Sequence, residues 1–265
     1  MARLLGWRGA ARTLLDDYAR LRRKFSDDDL CEPAGNSFRA GAMWAFVRRR
    51  VARRAWATYG EGMTNRRHWE DVYEKKAVDQ VSWYAPHLGR SLAFLDAERL
   101  PLDAGIIDVG GGASTLVDDL LARGYRNVTV LDLSQKAIDT ARARLGEAGE
   151  GVHWIVGDIT QTELPAAAYD FWHDRAVFHF LRDEEARRRY VAAVRRALKP
   201  GGHILVATFG PEGPERCSGL DVVRYDADQL HDEFGGEFEK VASAVEVHKT
   251  PWGSEQQFVY CYCRR

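Results

Sequence analysis

The chain lacks long apolar runs and carries almost no net charge. Its apolar runs fall well short of the roughly 20 residues that a membrane-spanning helix needs, so we expect no membrane anchor. No apolar segment of the kind found in secretory signals follows the first residues, so we expect no export signal. A formal net charge of -1 gives no general reason to bind nucleic acid or an anionic membrane. These absences favour a cytoplasmic protein.

Cysteine is also scarce. The four cysteines are Cys31, Cys217, Cys261 and Cys263, and no two of them form a Cys-x-x-Cys pair. Cys261 and Cys263 would share one face of a strand because side chains alternate with a period of two. That arrangement alone makes neither a zinc site nor a disulfide framework, so we expect reduced thiols. No spacing of ligand-type residues is diagnostic of a metal ion, and we expect none.

Positive charge is concentrated at one end of the chain. Residues 1–57 hold thirteen Lys and Arg against six Asp and Glu. The helix-like segments of this part are 4–24 and 40–57, and the segment between them, 25–39, is loop-like. We therefore predict a basic helical N-terminal extension over 1–67 and one domain over 68–265. The extension would pack on the domain, remain partly disordered, or serve as a cap or dimerisation arm.

From residue 105 onward, apolar strand-like runs alternate with helix-like segments. This alternation predicts βαβ units and a mainly parallel sheet. The expected strands are 105–109, 127–132, 152–157, 169–173 and 203–209, followed by a terminal hairpin of 238–247 and 256–263. The expected helices are 68–77, 88–98, 114–123, 134–146, 183–198 and 226–234. The stretch 199–202, Lys-Pro-Gly-Gly, is interpreted as a helix stop and turn.

The most informative stretch is the glycine turn 110–112, which follows Asp108 at the end of the first expected strand. Because glycine has no Cβ, a ligand can approach the backbone there, at the start of a helix. Two later strands also end in a carboxylate, Asp132 and Asp158. At the carboxyl edge of a parallel sheet, such a carboxylate can accept hydrogen bonds from ribose hydroxyls. The pattern predicts a nucleoside pocket at this edge.

Taken in order, these elements resemble the class I S-adenosylmethionine (SAM)-dependent methyltransferases. The matching positions are 108–113, Asp132, Gly157-Asp158, Tyr169-Asp170 and 198–202. The resemblance covers about residues 68–263. It implies an α/β fold with a Rossmann-like seven-stranded sheet, mostly parallel, whose last strand is antiparallel. It also implies SAM as the cofactor, lying across the carboxyl ends of the first strands.

The resemblance implies a role for each matching position around the methionine and ribose of SAM. Gly110 and Gly112 would pass under the methionine half, and Asp108 would help to hold its amino group. Asp132 would accept hydrogen bonds from the ribose hydroxyls.

Around the adenine, the resemblance points to three further residues. Leu133 would pack on the adenine face, and Asp158 would meet the exocyclic amine, with the backbone of Ile159 beside it. For Asp132 and Asp158 the alternative role is capping of the helices that follow.

An aromatic lead-in precedes the first strand. Trp69, Tyr73 and Trp83 resemble the lead-in of the methyltransferase-like protein lysine methyltransferases, where it folds over the cofactor, so all three are candidate cofactor-binding residues. The fourth strand of that group ends in Asp-Lys-Gly, whereas residues 173–176 here are His-Asp-Arg-Ala. The chain also looks like a bacterial group of uncharacterised class I methyltransferases.

Methyl transfer from a sulfonium is an in-line displacement, in which the acceptor must be held about 3–3.5 Å from the methyl carbon. In this fold the residues that follow the fourth strand lie beside the methyl group. The candidate catalytic residues are therefore His173, Asp174, Arg175 and His179. A histidine can take a proton near neutrality, and an arginine can clamp an anion.

Structural roles for the same residues stay open. Asp174 and Arg175 could pair with each other or cap the next helix, and His173 could be a hydrogen-bonded core residue. The other side chains that could reach the same mouth are His248, Gln256 and Cys217.

We therefore predict a SAM-dependent methyltransferase acting on a small-molecule acceptor, because the loops that would cover the acceptor are short and rich in aromatic residues. The alternatives are a protein lysine methyltransferase, an NAD-dependent oxidoreductase and a non-catalytic SAM-binding protein. Against the oxidoreductase, Thr115 replaces the third glycine of G-x-G-x-x-G and no Tyr-x-x-x-Lys occurs.

Nucleic-acid substrates find little support in the sequence. No Asp/Asn-Pro-Pro-aromatic motif follows the fourth strand and no Pro-Cys occurs, which argues against the adenine-N6, cytosine-N4 and cytosine-C5 types. The near-neutral domain gives no electrostatic footprint for other nucleic-acid acceptors. The acceptor atom and the oligomeric state stay open.

Overall fold

The computed structural model describes residues 65–265. The predicted helices 4–24 and 40–57, and the N-terminal extension 1–67 except for its last three residues, lie outside the described residues. Within the described range, no helix is long and apolar enough to cross a membrane.

A single large sheet organises the described chain. The helices are α1 (65–75), α2 (Gly89–Glu98), α3 (Leu116–Ala122), α4 (Gln135–Leu145), α5 (Glu184–Ala197) and α6 (Ala227–Asp232). The strands are β1 (Gly105–Val109), β2 (Asn127–Asp132), β3 (His153–Val156), β4 (Tyr169–Arg175), β5 (Leu198–Phe209), β6 (Arg216–Cys217), β7 (Leu220–Asp221), β8 (Glu239–Lys249) and β9 (Glu255–Arg264). Short 3-10 turns cover Val78–Gln80, Gly146–Gly149 and Phe178–Phe180.

The sheet has seven strands in the order β3-β2-β1-β4-β5-β9-β8. Strands β1 to β5 are parallel, and β9 runs antiparallel to both β5 and β8. This topology confirms the predicted Rossmann-like sheet and its terminal hairpin. Strands β6 and β7 form a small separate hairpin that the sequence analysis did not predict.

The sheet is apolar on both faces because helices cover both sides of its parallel strands. On one face, Trp172 and Phe178 pack with α5 through Tyr190. On the other face, Ile106 and Val130 pack with α2, α3 and α4. Helices α4 and α5 begin at side-chain caps, where Ser134 and Asp183 accept backbone N–H bonds.

The boundaries of β4 and β5 differ from the predicted ones for identifiable reasons. Strand β4 continues to Arg175 rather than ending at residue 173, because it stays paired with β5 as far as Arg175 opposite Ala207. Helix α5 ends at Ala197, which confirms the predicted helix stop, but strand β5 begins directly at Leu198, so the predicted turn over 199–202 was wrong. The Gly201 N–H donates to the carbonyl of Arg265, and φ of +76° at Gly201 lets the strand continue through an irregularity.

The cysteines of the described chain are free and buried. Cys261 and Cys263 do share a strand face, with their sulfur atoms 3.4 Å apart. Burial raises the pKa of the Cys217 thiol to about 12, so that residue stays a thiol.

Candidate functional site

The glycine turn 110–112 lies where β1 ends, in direct contact with the side chains around it. Gly110 has φ of +70° and Gly112 has φ of +35°, a region that L side chains rarely adopt. A Cβ added to Gly110 would clash with Val177, and one added to Gly112 would lie 2.6 Å from the Asp132 carboxylate. The turn therefore requires glycine; Gly110 is half-buried, and Gly111 and Gly112 are buried.

Asp108 is buried beneath the glycine turn, and within the described chain only one of its two carboxylate oxygens is hydrogen-bonded. His173 donates from Nδ1 to Oδ1 of Asp108 over 2.7 Å, and its Nε2 lies 2.8 Å from the Ser91 hydroxyl. The second oxygen, Oδ2, is buried and has no partner among the described residues. A Cβ on Gly111 would clash with this oxygen. An unpartnered acceptor beside a bare backbone turn fits the amino group of a ligand.

Asp132 lies at the end of β2, on the other side of the turn. Its Oδ1 accepts the Ser134 N–H over 2.8 Å. Burial, together with the charges of the nearby carboxylates Asp108 and Glu70, raises the pKa of Asp132 to about 7. A hydroxyl donor from a ligand would favour the ionised form of this group.

The affinity for SAM is therefore expected to fall as the pH drops below about 7. In the role that the resemblance implies for Asp132, ribose hydroxyls would favour its ionised form, so below its raised pKa near 7 a proton competes with the ligand. The limiting slope is about tenfold per pH unit, and the affinity levels off above pH 7. Calorimetric titration between about pH 5.5 and 8.5 measures this dependence of the SAM affinity on pH. A flat profile would contradict this role for Asp132.

Asp158 makes local contacts within its turn. Its Oδ1 accepts from the backbone and side chain of Thr160, and its Oδ2 accepts from Gln161. These bonds close a turn, and no helix lies between β3 and β4 for Asp158 to cap. Ile159 is buried in the core, and half-buried Leu133 follows Asp132 directly.

The aromatic lead-in forms one cluster. Trp69 makes edge-on contacts with Trp83 and with Phe180, with ring centroids 5.7 and 5.2 Å apart, and Tyr73 lies edge-on to Trp83 at 6.4 Å. Burial raises the pKa of Tyr73, and the charge of nearby Asp132 raises it further. We call these four residues the aromatic cover. Phe180, which the sequence analysis did not single out, completes it from the turn after β4.

Glu70 ties the aromatic cover to the start of helix α4. Its carboxylate accepts the Ser134 hydroxyl at 2.8 Å, the Gln135 N–H at 2.7 Å and the Lys136 N–H at 3.0 Å. An acceptor with negative charge is favoured at the N-terminus of a helix, here α4. Sequence reasoning missed this role because nothing in the lead-in shows which helix terminus a glutamate reaches.

Three further contacts hold the loop that carries Trp83. Arg175 donates from Nη1 to the Trp83 carbonyl at 3.0 Å, and its guanidinium lies 4.2 Å from the centre of the Phe258 ring. His248 donates from Nε2 to the Ser82 carbonyl at 2.8 Å. The hydroxyl of Thr115, which stands in the place of a third glycine, donates to the carbonyls of Ala85 and Pro86.

The other candidate catalytic residues are strongly committed to internal bonds. Asp174 accepts the Tyr190 hydroxyl at 2.7 Å and the Val177 N–H at 2.9 Å, and burial raises its pKa to about 6. These contacts fit a capping role for Asp174. No ion pair with Arg175 is found within the described chain.

His179 is fully buried. Its Nδ1 accepts the Phe209 N–H at 3.3 Å, so Nε2 carries the proton and has no partner among the described residues. Burial, aided by the charge of Arg175, lowers the pKa of His179 to about 3.

Of the remaining candidates, Gln256 is buried, and its Oε1 has no hydrogen-bond partner among the described residues. Within residues 65–265, no three ligand-type side chains are grouped as a metal ion requires.

Three features are characteristic of one class of protein: the strand order, the antiparallel strand β9, and a glycine turn between two strands that end in acidic residues. Residues 106–202 match the family model described as a methyltransferase domain. This match and the strand order support a class I SAM-dependent methyltransferase.

Two curated proteins are similar to parts of the chain. It is 22% identical over 157 residues to mouse EEF1A lysine methyltransferase 2, and the aligned region covers 54% of this chain and 64% of that protein. It is 36% identical over 104 residues to malonyl-[acyl-carrier protein] O-methyltransferase of Serratia marcescens, and the aligned region covers 39% of this chain and 38% of that protein. The chain thus spans less than two thirds of the length of either relative.

A solved structure shows the same fold. It is that of Burkholderia thailandensis 1,6-didemethyltoxoflavin-N1-methyltransferase with bound 1,6-didemethyltoxoflavin and S-adenosylhomocysteine. The match has a TM-score of 0.54 at 18% identity and covers 89% of this chain and 93% of that one.

Proposed function

We propose that this protein transfers a methyl group from SAM to a small-molecule acceptor. The observation that carries the proposal is the aromatic cover, which folds over the carboxyl edge of the sheet and is held there from several sides. Glu70, Arg175 and His248 each tie it to a different element. A site whose entrance is closed by the chain's own aromatic side chains suits a compact acceptor.

The residues around the glycine turn fit SAM. The unpartnered Oδ2 of Asp108 would receive the amino group, and the bare turn 110–112 would lie against the methionine half. Asp132 would accept the ribose hydroxyls, and Leu133 with Ile159 would border the adenine. Asp158 would approach the adenine amine if its local bonds to Thr160 and Gln161 rearrange.

When bound, SAM supplies an electrophilic methyl group that an acceptor atom displaces in line. The chain's own contribution is to orient the two reactants and to exclude water. Trp69, Tyr73 and Trp83 would shield the cofactor from solvent. Arg175, whose charge has no carboxylate partner in the described chain, would hold an anionic group of the acceptor.

The two histidines would act in different ways. His173 would position Asp108, because both of its ring nitrogens are already bonded. His179 would donate from Nε2–H rather than take a proton, because its Nδ1 is occupied and burial lowers its pKa. Asp174 would keep the turn that carries His179 in place.

Protein lysine methylation is the second candidate. It is favoured by the similarity to the mouse lysine methyltransferase, which extends over 54% of this chain.

An assay with radiolabelled SAM separates the two candidates. The purified protein is incubated with labelled SAM and a lysate that has been divided into small-molecule and protein fractions. We expect enzyme-dependent label among the small molecules, and roughly 10- to 100-fold less with the Asp132→Asn variant when SAM is below saturation. Label in protein bands would instead support the lysine methyltransferase.

A thermal-shift comparison of SAM, S-adenosylhomocysteine and NAD stays informative if the radiolabel assay shows no methylated product. A ligand that binds the native state raises its melting temperature. SAM and S-adenosylhomocysteine should do so and NAD should not. A shift with NAD alone would point to the oxidoreductase. A shift with SAM and no label in either fraction would point to a non-catalytic binding protein.

A further inference from the structure

Strand β8 (Glu239–Lys249) is the outer strand of the sheet. Within the described chain it pairs only with β9, so its other edge offers unpaired backbone groups along eleven residues. Proteins usually shorten, charge or cover such an edge because it is a template for further strand pairing. A long edge strand of this kind needs a partner or a protective device.

One face of β8 carries an exposed apolar stripe. Val241, Val245 and Val247 are 52%, 57% and 56% exposed. They belong to the strand face opposite Ala242 and Ala244, which pack on the core. A hollow of about 350 Å³ borders the stripe at Val245. Contiguous exposed apolar side chains on one face are typical of an interaction surface.

The stripe is self-complementary. If β8 pairs antiparallel with β8 of a second copy about a two-fold axis at Ala244, Glu239 lies opposite the second copy's Lys249. The same alignment places Val241 opposite Val247 and Ser243 opposite Val245. All of these residues are on the exposed face. A two-fold axis repeats each of these contacts, so the pair of Glu239 with Lys249 and the pair of Val241 with Val247 each occur twice in the interface.

Neighbouring alignments lack this match. An axis between two residues would set the exposed face of one copy beside the covered face of the other, because side chains alternate. An axis at Val245 would place Val241 against Lys249 and leave Glu239 without a partner in the strand.

We propose that β8 is the interface of a homodimer, in which the sheets of two copies join edge to edge. The interface would lie away from the glycine turn, which is on β1. It would also order the strand whose His248 donates to the Ser82 carbonyl and so supports the aromatic cover.

Sedimentation of the full chain over a range of concentrations tests the proposal. The unaltered protein should be a dimer. The Val245→Lys variant should dissociate at least tenfold more readily, because it places charge in the middle of the stripe. The matched control is Leu102→Lys, which changes another exposed apolar residue, 46% exposed and outside β8. It should leave the dimer intact, and circular dichroism should show that both variants are folded.

A charge exchange tests the alignment itself. Glu239→Lys and Lys249→Glu should each weaken the dimer when alone, because like charges then face each other twice. Mixed together, the two variants should form a heterodimer, and the double variant should recover the homodimer.

Three results would overturn the proposal: a monomeric protein, a dimer that Val245→Lys leaves unchanged, or charge variants that do not complement each other. A monomer whose β8 amides resist hydrogen exchange would show that a different segment or partner covers the strand.

Discussion

Replacement of Asp132 by Asn is expected to weaken SAM binding while making the free protein more stable. The carboxylate should form charge-assisted hydrogen bonds with the ribose hydroxyls, and loss of such bonds costs about 1–3 kcal/mol, or roughly 10- to 100-fold in affinity. Asparagine keeps an oxygen that can accept the Ser134 N–H but carries no charge. Binding and stability should therefore change in opposite directions.

The gain in stability follows from the raised pKa of Asp132. In the native protein the group holds its proton up to about pH 7, whereas in the unfolded chain it loses that proton near its ordinary value. Between these two pH values the unfolded state is progressively favoured, and above about pH 7 the full cost of the buried charge is present. The Asn variant removes this cost, and we expect a gain on the order of 2 kcal/mol at pH 8.

Two measurements check this result. Calorimetric titration with S-adenosylhomocysteine gives the affinity, and thermal unfolding without ligand gives the stability. Asp139→Asn is the matched control, because Asp139 is an exposed acid on α4 whose carboxylate accepts from Gln135. It should change neither quantity appreciably. An Asp132→Asn protein with unchanged affinity would place the ribose elsewhere.

Replacement of Glu70 by Ala is expected to release the aromatic cover. The substitution removes three hydrogen bonds to the first turn of α4, each worth about 0.5–1.5 kcal/mol. It also removes a favourable charge from a helix N-terminus. Since Trp69 directly precedes Glu70, we expect the cover to open more often and SAM affinity to fall about tenfold.

Hydrogen exchange over 65–75, together with SAM affinity, measures the effect. Exchange in this segment should accelerate in Glu70→Ala, while the amides of β1 and β5 stay protected. Glu70→Gln adds a second test. It keeps one acceptor oxygen but removes a charge that raises the pKa of Asp132, so the pH midpoint for SAM binding should move down.

Asp71→Asn serves as the control for this pair. Asp71 lies beside Glu70 but makes only an exposed ion pair with Lys75 at 3.6 Å. It should leave exchange and affinity unchanged. Slow exchange in Glu70→Ala would mean that the aromatic contacts alone hold α1 in place.

Much of the architecture follows from local pattern. The alternation of apolar runs with helical segments predicted β1, β2, β4 and the terminal hairpin, because strand and helix periods are properties of neighbouring residues. Glycine and acidic residues at strand ends marked the edge of the sheet that holds Asp108 and Asp132. The boundaries of β4 and β5 were less predictable, since the pairing of Arg175 with Ala207 extends strands past their apolar runs.

What the chain's order of residues could not reveal was which side chains meet. His173 was a candidate base on the strength of its residue type, yet its partners Asp108 and Ser91 lie 65 and 82 positions away and occupy both ring nitrogens. Glu70 reaches Ser134 across 64 positions, a contact that no periodicity encodes. Secondary structure and the location of the ligand edge are written in short-range patterns. The protonation, bonding and freedom of each side chain there depend on burial and on distant partners, which exist once the sheet has assembled.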